Sequence, residues 1–542
     1  MRRSARGSVV VALAVLLSGG AATPAVAQPA GPAAGSTSGG DEYFPPAGNG
    51  GYDVRHYDLN LKYTPTSDTS GTLDARAIIA ATATQGLSSF SLDLRGLAVS
   101  SVTVNGAPAT FRTEGDRELI VTPRQPLRAR LPFVVVVAYG GNTGQPLDNT
   151  EALYGWVSFK DGAFIGNEPE GASTWYPVND VPYDKATYTF AIEVPEGTVG
   201  VANGKLLSQR TQGGRTTYRW AALEPMASYL SMAASGNYDL TTQRGPRGLP
   251  IINAVDKDLS AANKKATADA LGRQPEMIEF FETQYGRYPY GSFGAVVDDD
   301  EDAGYALENQ TRPIYSGPPD DDTVAHELAH QWLGNKVTPK QWKDIWLNEG
   351  FAAYSEWLWR EHLGETTPAE EFAAQYDTRL ATSPFWQTQP GDPGAENLFV
   401  SAVYNRGAMT LYAVRLAVGD ATFAKILREW TGRDQNRPAT TADFIALAEP
   451  VSGKELDGLF QEWLYTPGKP ADPRPATAAP ADAAAVARTA ATANTSGDAN
   501  AVAPAAEDPP VAADPPAAAD APAAADAAAP AAVGEPAPHR RR

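Results

Sequence analysis

His326 and His330, in the run His-Glu-Leu-Ala-His, are followed after eighteen intervening residues by Glu349. No other feature limits the fold of this chain as tightly. Residues at i and i+4 share one face of a helix about one turn apart, so both imidazoles reach a single ion only if this segment is helical. Glu349 joins them only if a second helix packs against the first. Glu327, between the histidines, is placed to take a proton from water. Two imidazoles and a carboxylate with one position left open are the ligand set of a catalytic zinc centre. The expectation is one Zn2+ per chain, held by His326, His330 and Glu349, with Glu327 as the base of a hydrolase.

Composition narrows the options for that site. The chain has no cysteine and only five histidines, His56, His326, His330, His362 and His539. No disulfide or thiolate is available, so a metal must be held by His, Asp and Glu. His56, His362 and His539 are given no metal role. Lys+Arg 44 against Asp+Glu 64 leaves a net charge of -20, which disfavours nucleic acid and anionic membranes as partners. At the N-terminus, Arg2, Arg3 and Arg6 precede an apolar run, Val9 to Leu17, and then Ala25-Val26-Ala27. That order is an export signal, expected over 1–27. Arg2-Arg3 invites a twin-arginine reading, but Ser4-Ala5 continues it poorly. No other segment approaches the ~20 apolar residues of a spanning helix. A secreted protein without membrane insertion is expected.

With 542 residues, 43% of them hydrophobic, the chain can fill two or three cores. Small residues over 28–48 suggest a flexible linker. Tyr57, Leu59, Leu61 and Tyr63 then alternate with polar residues, as do Phe90, Leu92 and Leu94. Asn105-Gly106 signals a tight hairpin. Phe133 to Tyr139 is a continuous apolar run, read as a strand buried on both faces. An antiparallel β-sandwich is expected over 49–250. From Asp256 to Tyr285 the spacing turns helical, with a break at Pro275. A strand at Phe293 to Val297 follows, and then the helix of His326, with Asp320 to Thr323 as its cap and acidic first turn. Helical patterns cover Leu347 to Leu363, Pro368 to Ala381, Ser401 to Val418, and Phe444 to Tyr465. The region 251–467 is thus a mostly helical domain with a small sheet. After Pro470 the chain is dominated by Ala, Pro and Asp and has no aromatic residue, so 468–542 is expected to be a disordered tail.

The surroundings of the zinc motif carry a resemblance. HELAHQWLGNKVT and, beyond it, WKDIWLNEGFA resemble the aminopeptidase N family of zinc metallopeptidases, gluzincins with a thermolysin-like catalytic domain. Tyr305-Ala306-Leu307-Glu308-Asn309 is similar to that family's G-x-M-E-N motif, with Tyr305 for the first Gly and Leu307 for Met. Val403-Tyr404-Asn405-Arg406-Gly407-Ala408 resembles the segment bearing its catalytic tyrosine. Glu168-Pro169, and Asp180-Val181-Pro182 with Lys185-Ala186, are similar to its N-terminal signature. The similarity spans roughly residues 50–467.

The resemblance implies a β-sandwich followed by a thermolysin-like domain, and an aminopeptidase acting on peptides with a free N-terminus. It implies that Tyr404 donates to the oxyanion of the tetrahedral intermediate. It also implies that Glu308 and Glu168 hold the α-ammonium, since a buried cation demands fixed negative charge. Gly166 stands where family members often carry Gln. Backbone groups of Ala306 and Leu307 are expected to pair with the peptide by strand addition. Larger members continue into a helical domain that covers the site. Here the folded part is expected to end near Trp463 to Pro467, leaving a more open cleft without a carboxylate-binding arginine from such a domain. Glu356, seven residues past Glu349, reads either as an acceptor orienting a ligand histidine or as a surface carboxylate. The acidic run Asp298 to Asp302 reads as solvated, as a lure for cationic peptides, or as a Ca2+ site. Two other functions fit the zinc motif: an endopeptidase without the amine anchor, and a silent surface-binding protein stabilised by metal. Neither the preferred residue nor the oligomeric state is legible.

Overall fold

Alternating burial along Tyr52–Ser67 explains the architecture of the N-terminal half. Tyr57, Leu59, Leu61 and Tyr63 point inward while Asp58, Asn60 and Lys62 face outward, the period of a strand with one covered face. The chain is described by a computed structural model over residues 31–148, 152–300, 303–434 and 437–475. The expected export signal at 1–27, and the part of the expected tail from 476 on, lie outside the described residues.

Tyr52–Ser67 lies inside an eight-stranded sheet. Its strands, in order, are Lys205–Gln212, Arg215–Met226, Ala186–Pro195, Tyr52–Ser67, Ser70–Ala83, Pro132–Thr143, Ala98–Val104 and Ala107–Pro108. Two four-stranded sheets cover its inner face. In one, Phe90 meets Tyr52 and Phe133 of the large sheet at ring distances of 5.9 and 5.3 Å. In the other, Trp156 meets Tyr63 at 5.1 Å. The layering is the expected one, but the large sheet is mixed rather than antiparallel. Ala186–Pro195 runs parallel to Tyr52–Ser67, from Thr187 beside His56 to Glu193 beside Lys62. Alternation reports which face is covered and is blind to strand direction. The hairpin at Asn105-Gly106 forms as expected, with both residues at positive φ. Pro132–Thr143 corrects the expectation of a strand buried on both faces. Phe133, Val135 and Val137 are buried while Val134 is 39% exposed.

Two boundaries also move. Residues 31–48 are not a free linker. Ala33 and Ala34 pair with the strand Leu87–Asp93, Ala47 is buried, and Asp41 accepts from the Trp342 amide at 2.8 Å. Backbone pairing of this kind needs no apolar pattern, so small residues concealed it. At the other end, residues 468–475 pack as well. Tyr376 donates to the Pro470 carbonyl at 2.6 Å, and Arg474 pairs with Asp377 at 2.5 Å.

The second half begins earlier than residue 251, because Tyr238–Arg244 belongs to its sheet. That sheet runs Tyr238–Arg244, Pro250–Asp256, Phe293–Val297, Ile314–Tyr315 and Ala306–Leu307, the last pair at the edge among the described residues. Helices α1 (Ala261–Gly272) and α2 (Gln274–Tyr285) break at Arg273, with Pro275 in the first turn of α2. Then come α3 (Asp321–Ala329), α4 (Trp346–Leu363), α5 (Pro368–Thr378) and α6 (Ser401–Val418). The last three are α7 (Asp420–Thr431), α8 (Thr441–Ser452) and α9 (Asp457–Tyr465). α7 has no counterpart among the expected elements, although Phe423, Ile426, Leu427 and Trp430 carry helical spacing. α4 and α6 cross at Gly350 and Gly407. A Cβ on either would lie 2.8 Å from the other's Cα, so only glycine permits this approach. The crossing brings the helices of Glu349 and Tyr404 together, and both residues line one cavity. No described helix is long and apolar enough to cross a membrane.

Candidate metal centre and peptide cleft

Helix α3 starts where its acidic turn predicts. Asp320 accepts from the Thr323 amide at 2.8 Å. Asp321 pairs with Arg273, and Asp322 pairs with Arg360 of α4 at 2.7 Å. These pairs fix α3 against its neighbours and present His326, Glu327 and His330 on a buried face.

The donors converge. His326, His330 and Glu349 each offer one ligand atom, all within 4.8 Å of one another. The His326 Nδ1 lies 2.6 Å from Glu356 Oε1, and the His330 Nδ1 lies 3.0 Å from the Leu333 carbonyl. Both partners are acceptors, so in the neutral rings the protons sit on Nδ1 and the Nε2 lone pairs point inward. Those lone pairs face Glu349 Oε2 at 3.2 and 3.5 Å. Three acceptors aimed at one point repel each other unless a cation lies between them, so the residues fit zinc. Glu356 is thereby resolved between its two readings. It bonds to the His326 ring on the side away from Glu349. Burial alone would raise the Glu349 carboxyl, but positive charge on His330 and His326, which a cation at the three donors would equally supply, outweighs it and holds the group at about 2. It stays anionic. Glu327 is pushed up to about 8 by burial, against the pull of the two histidines, and its Oε2 has no partner. A cation at the three donors would draw it back down.

Tyr404 stacks on the His326 ring with centroids 5.9 Å apart. Burial, then Glu349 and Glu168, raise its hydroxyl well above the ordinary value. It remains a neutral donor beside the metal ligands.

These residues form the floor of a cavity of about 230 Å³, lined also by Glu168, Glu308, Ala306 and Leu307. Glu308 is held by its backbone: its carbonyl accepts from Asn335 Nδ2 at 2.7 Å and from Gln331 Nε2 at 3.2 Å. Glu168 comes from the N-terminal domain, just beyond the strand Ala163–Gly166. The preceding Asn167 is locked by donating to the Ser231 carbonyl at 2.6 Å and accepting from Trp175 at 3.1 Å. One oxygen each of Glu168, Glu308 and Glu349 lies within 4.8 Å of the other two. Glu168 Oε1 and Glu308 Oε1 have no partner. Burial, reinforced by Glu308, Glu349 and Glu327, pushes Glu168 well above the carboxylate range. Burial also raises Glu308, although His330 opposes it. No lysine or arginine is among the described residues lining this cavity. The site is short of positive charge.

Each expected site residue therefore reaches one cleft. Ala306–Leu307 forms an edge strand, paired on one side with Ile314–Tyr315 and, among the described residues, with no strand on the other. None of Asp298, Asp299 and Asp300 lines the cavity; Asp298 is buried and accepts from Tyr238, while 301–302 lie outside the described residues. His56 bonds to Thr187 and Thr189 across the parallel joint, and His362 stacks on Phe280. His539 lies outside the described residues. Tyr154, Leu153 and Phe399 also line the cavity. They are loop and strand-end residues with no periodic signal to single them out. Gln331 and Asn335, directly after the motif, were discoverable by position alone.

Comparison with known proteins agrees with this geometry. The peptidase family M1 domain matches residues 319–463, and the peptidase M1 N-terminal domain matches 54–230. Among curated relatives, the chain is 23% identical over 409 residues to the probable aminopeptidase 1 of Sulfurisphaera tokodaii, covering 70% of this chain and 49% of that protein. It is 25% identical over 345 residues to the leucyl aminopeptidase of Saccharolobus solfataricus, covering 58% and 42%. It is 25% identical over 470 residues to the glutamyl aminopeptidase of Sus scrofa, covering 77% and 47%. The chain thus spans less than half the length of these relatives. The crystal structure of an M1 zinc metallopeptidase from Deinococcus radiodurans superposes with a TM-score of 0.74 at 29% identity, covering 82% of this chain and all of that one. A point mutant of that protein was solved bound to a Tyr-Ser-Ala substrate, with a TM-score of 0.72 at 28% identity, covering 81% of this chain and all of that one.

Proposed function

Since the chain belongs to peptidase family M1, we propose that it is a zinc-dependent aminopeptidase that removes residues from the free N-terminus of peptides. The observation that carries this reading is the pair Glu168 and Glu308, with unpartnered oxygens beside the zinc donors in a cleft whose described lining holds no lysine or arginine. An α-ammonium is a cation of the right size, delivered with its peptide bond one residue away. The endopeptidase reading leaves both carboxylates without a purpose.

His326, His330 and Glu349 would hold the zinc, which would supply a Lewis acid to polarise the scissile carbonyl and make water easier to deprotonate. Glu327 takes the proton of the attacking water on its free oxygen and returns it to the leaving amine. Tyr404 donates its hydroxyl to the carbonyl oxygen as negative charge develops there. Glu168 and Glu308 hold the ammonium and so fix which peptide bond lies over the ligands. The open side of Ala306–Leu307 aligns the substrate backbone as an added strand.

Mass spectrometry of a decapeptide during digestion tests the proposal. Products shortened stepwise from the N-terminus are expected, and internal fragments from the outset would refute it. We propose in addition that the protein is exported, on the reading of residues 1–27 alone. Mature protein in the medium starting at Gln28 is the expected result; intracellular protein retaining Met1 is the contrary one.

A further inference from the structure

Two residues beside the amine anchors fit each other across the domain boundary. Gly166 ends the strand Ala163–Gly166, two residues before Glu168, and Tyr305 stands three residues before Glu308. A Cβ on residue 166 would overlap the Tyr305 hydroxyl and lie 2.9 Å from its Cζ. The ring therefore rests on bare backbone, in space that any other residue at 166 would occupy. Its hydroxyl donates to the Leu153 carbonyl at 2.9 Å, and its edge meets Phe164 at 6.2 Å. Hydrogen bonds link Tyr305 to Ser316 at 3.1 Å on the catalytic side. Tyr305 is thus held by both domains, its ring by the N-terminal one and its backbone by the catalytic one.

Its position bears on the first side chain of a substrate. That side chain is attached one carbon away from the anchored ammonium, so it must leave along the wall beside Glu168 and Glu308. With the zinc ligands, Glu327 and Tyr404 on the floor, the walls that remain are largely aromatic or apolar, Tyr305, Tyr154, Leu153 and Phe399, with Asp148 the one further carboxylate among the described lining residues. We propose that Tyr305, seated on Gly166, is the residue that determines specificity for the substrate's first side chain, favouring flat aromatic and long apolar groups. This rests on the aminopeptidase reading. A flat ring gains face or edge contact with Tyr305, whereas an alanine methyl does not reach it. Gly166 acts through Tyr305 by leaving the ring its seat.

The test is a set of kcat/KM values for phenylalanyl, leucyl and alanyl anilides on the zinc-loaded full chain. Tyr305→Ala should lower the phenylalanyl-to-alanyl ratio by roughly tenfold or more, the scale on which apolar pockets discriminate. Tyr305→Phe keeps the ring and should keep most of the ratio, and Tyr305→Leu should lose the aromatic preference without emptying the wall. Gly166→Ala should lower the ratio in the parent but have little further effect on it in Tyr305→Ala. An unchanged ratio in both Tyr305→Ala and Tyr305→Leu overturns the proposal, as do independent effects of Gly166→Ala and Tyr305→Ala. If Tyr305→Ala does not fold, Tyr305→Leu alone decides. Equal hydrolysis of N-acetylated substrates by the parent would instead sink the aminopeptidase reading, a different outcome from a ratio that fails to move.

Discussion

A bound ammonium draws the buried Glu308 carboxyl back to its ionised form, so replacing Glu308 by glutamine removes one charge from the amine anchor and almost nothing else. The backbone that positions it is held by Asn335 and Gln331 through the main-chain carbonyl, which survives the substitution. Since Glu168 and Glu308 place oxygens within 4.8 Å of one another, an ammonium between them contacts both. At about 4 Å and an effective dielectric of about 20, each contact amounts to about 4 kcal/mol before the substrate's desolvation is counted. Glutamine retains an acceptor oxygen, so part of the interaction persists as a neutral hydrogen bond of about 1 kcal/mol. A net loss of about 2–3 kcal/mol follows, or roughly 30- to 150-fold in kcat/KM for a free-amine substrate. The assay compares leucyl anilide hydrolysis by the parent and by Glu308→Gln, with zinc content measured on both. Adding Glu168→Gln should cost a further but smaller factor, because both groups hold one ion. A loss below threefold with zinc fully bound would refute the charge argument. So would an equal loss on a substrate whose amine is blocked.

Three further outcomes follow from the same geometry. Tyr404→Phe should lower kcat by roughly 10²–10³-fold with a small change in KM, because its hydroxyl acts on charge that develops only in the transition state; steady-state kinetics would show it. Glu356→Ala frees the His326 Nδ1 and should weaken zinc binding roughly 10- to 100-fold in a chelator competition, with the fold intact by circular dichroism. Asp298 is pushed up to about 8 by burial, reinforced by Asp256, Asp161 and Asp299 and only partly offset by the Tyr238 hydroxyl. The folded state therefore keeps a proton that the unfolded chain releases near its ordinary value of 3.8. Its stabilisation is complete below that value and is lost as pH rises to and through about 8. In thermal melts, Asp298→Asn should gain on the parent steadily from pH 5 to pH 8 and then level off.

Legibility in the sequence followed the range of the interaction. His326, Glu327 and His330 lie within one helical turn, so spacing alone defined their geometry. Glu349 joined them through the motif's spacing and the ligand count of a zinc centre, whereas Glu308, Glu168 and Tyr404 sit on separate elements that only the resemblance to known peptidases drew together. The helices at Trp346–Leu363 and Ser401–Val418 were legible because apolar periodicity persists over several turns. The packing of residues 31–48 was not, since it depends on backbone pairing and a single buried carboxylate, Asp41. The parallel joint between Ala186–Pro195 and Tyr52–Ser67 was hidden for a related reason: direction leaves no trace in alternation. Gly166 and Tyr305 each looked like a departure from the family pattern. Only the fold shows that one residue makes room for the other.

The most direct test of a zinc aminopeptidase measures leucyl anilide and its N-acetylated twin side by side, before and after removal of metal. Acetylation deletes the cation that Glu168 and Glu308 are arranged to hold. The free-amine substrate should be cleaved at least about 100-fold faster than its twin. Chelation should abolish that activity and stoichiometric zinc should restore it. Equal rates on the two substrates, or full activity without metal, would contradict the account.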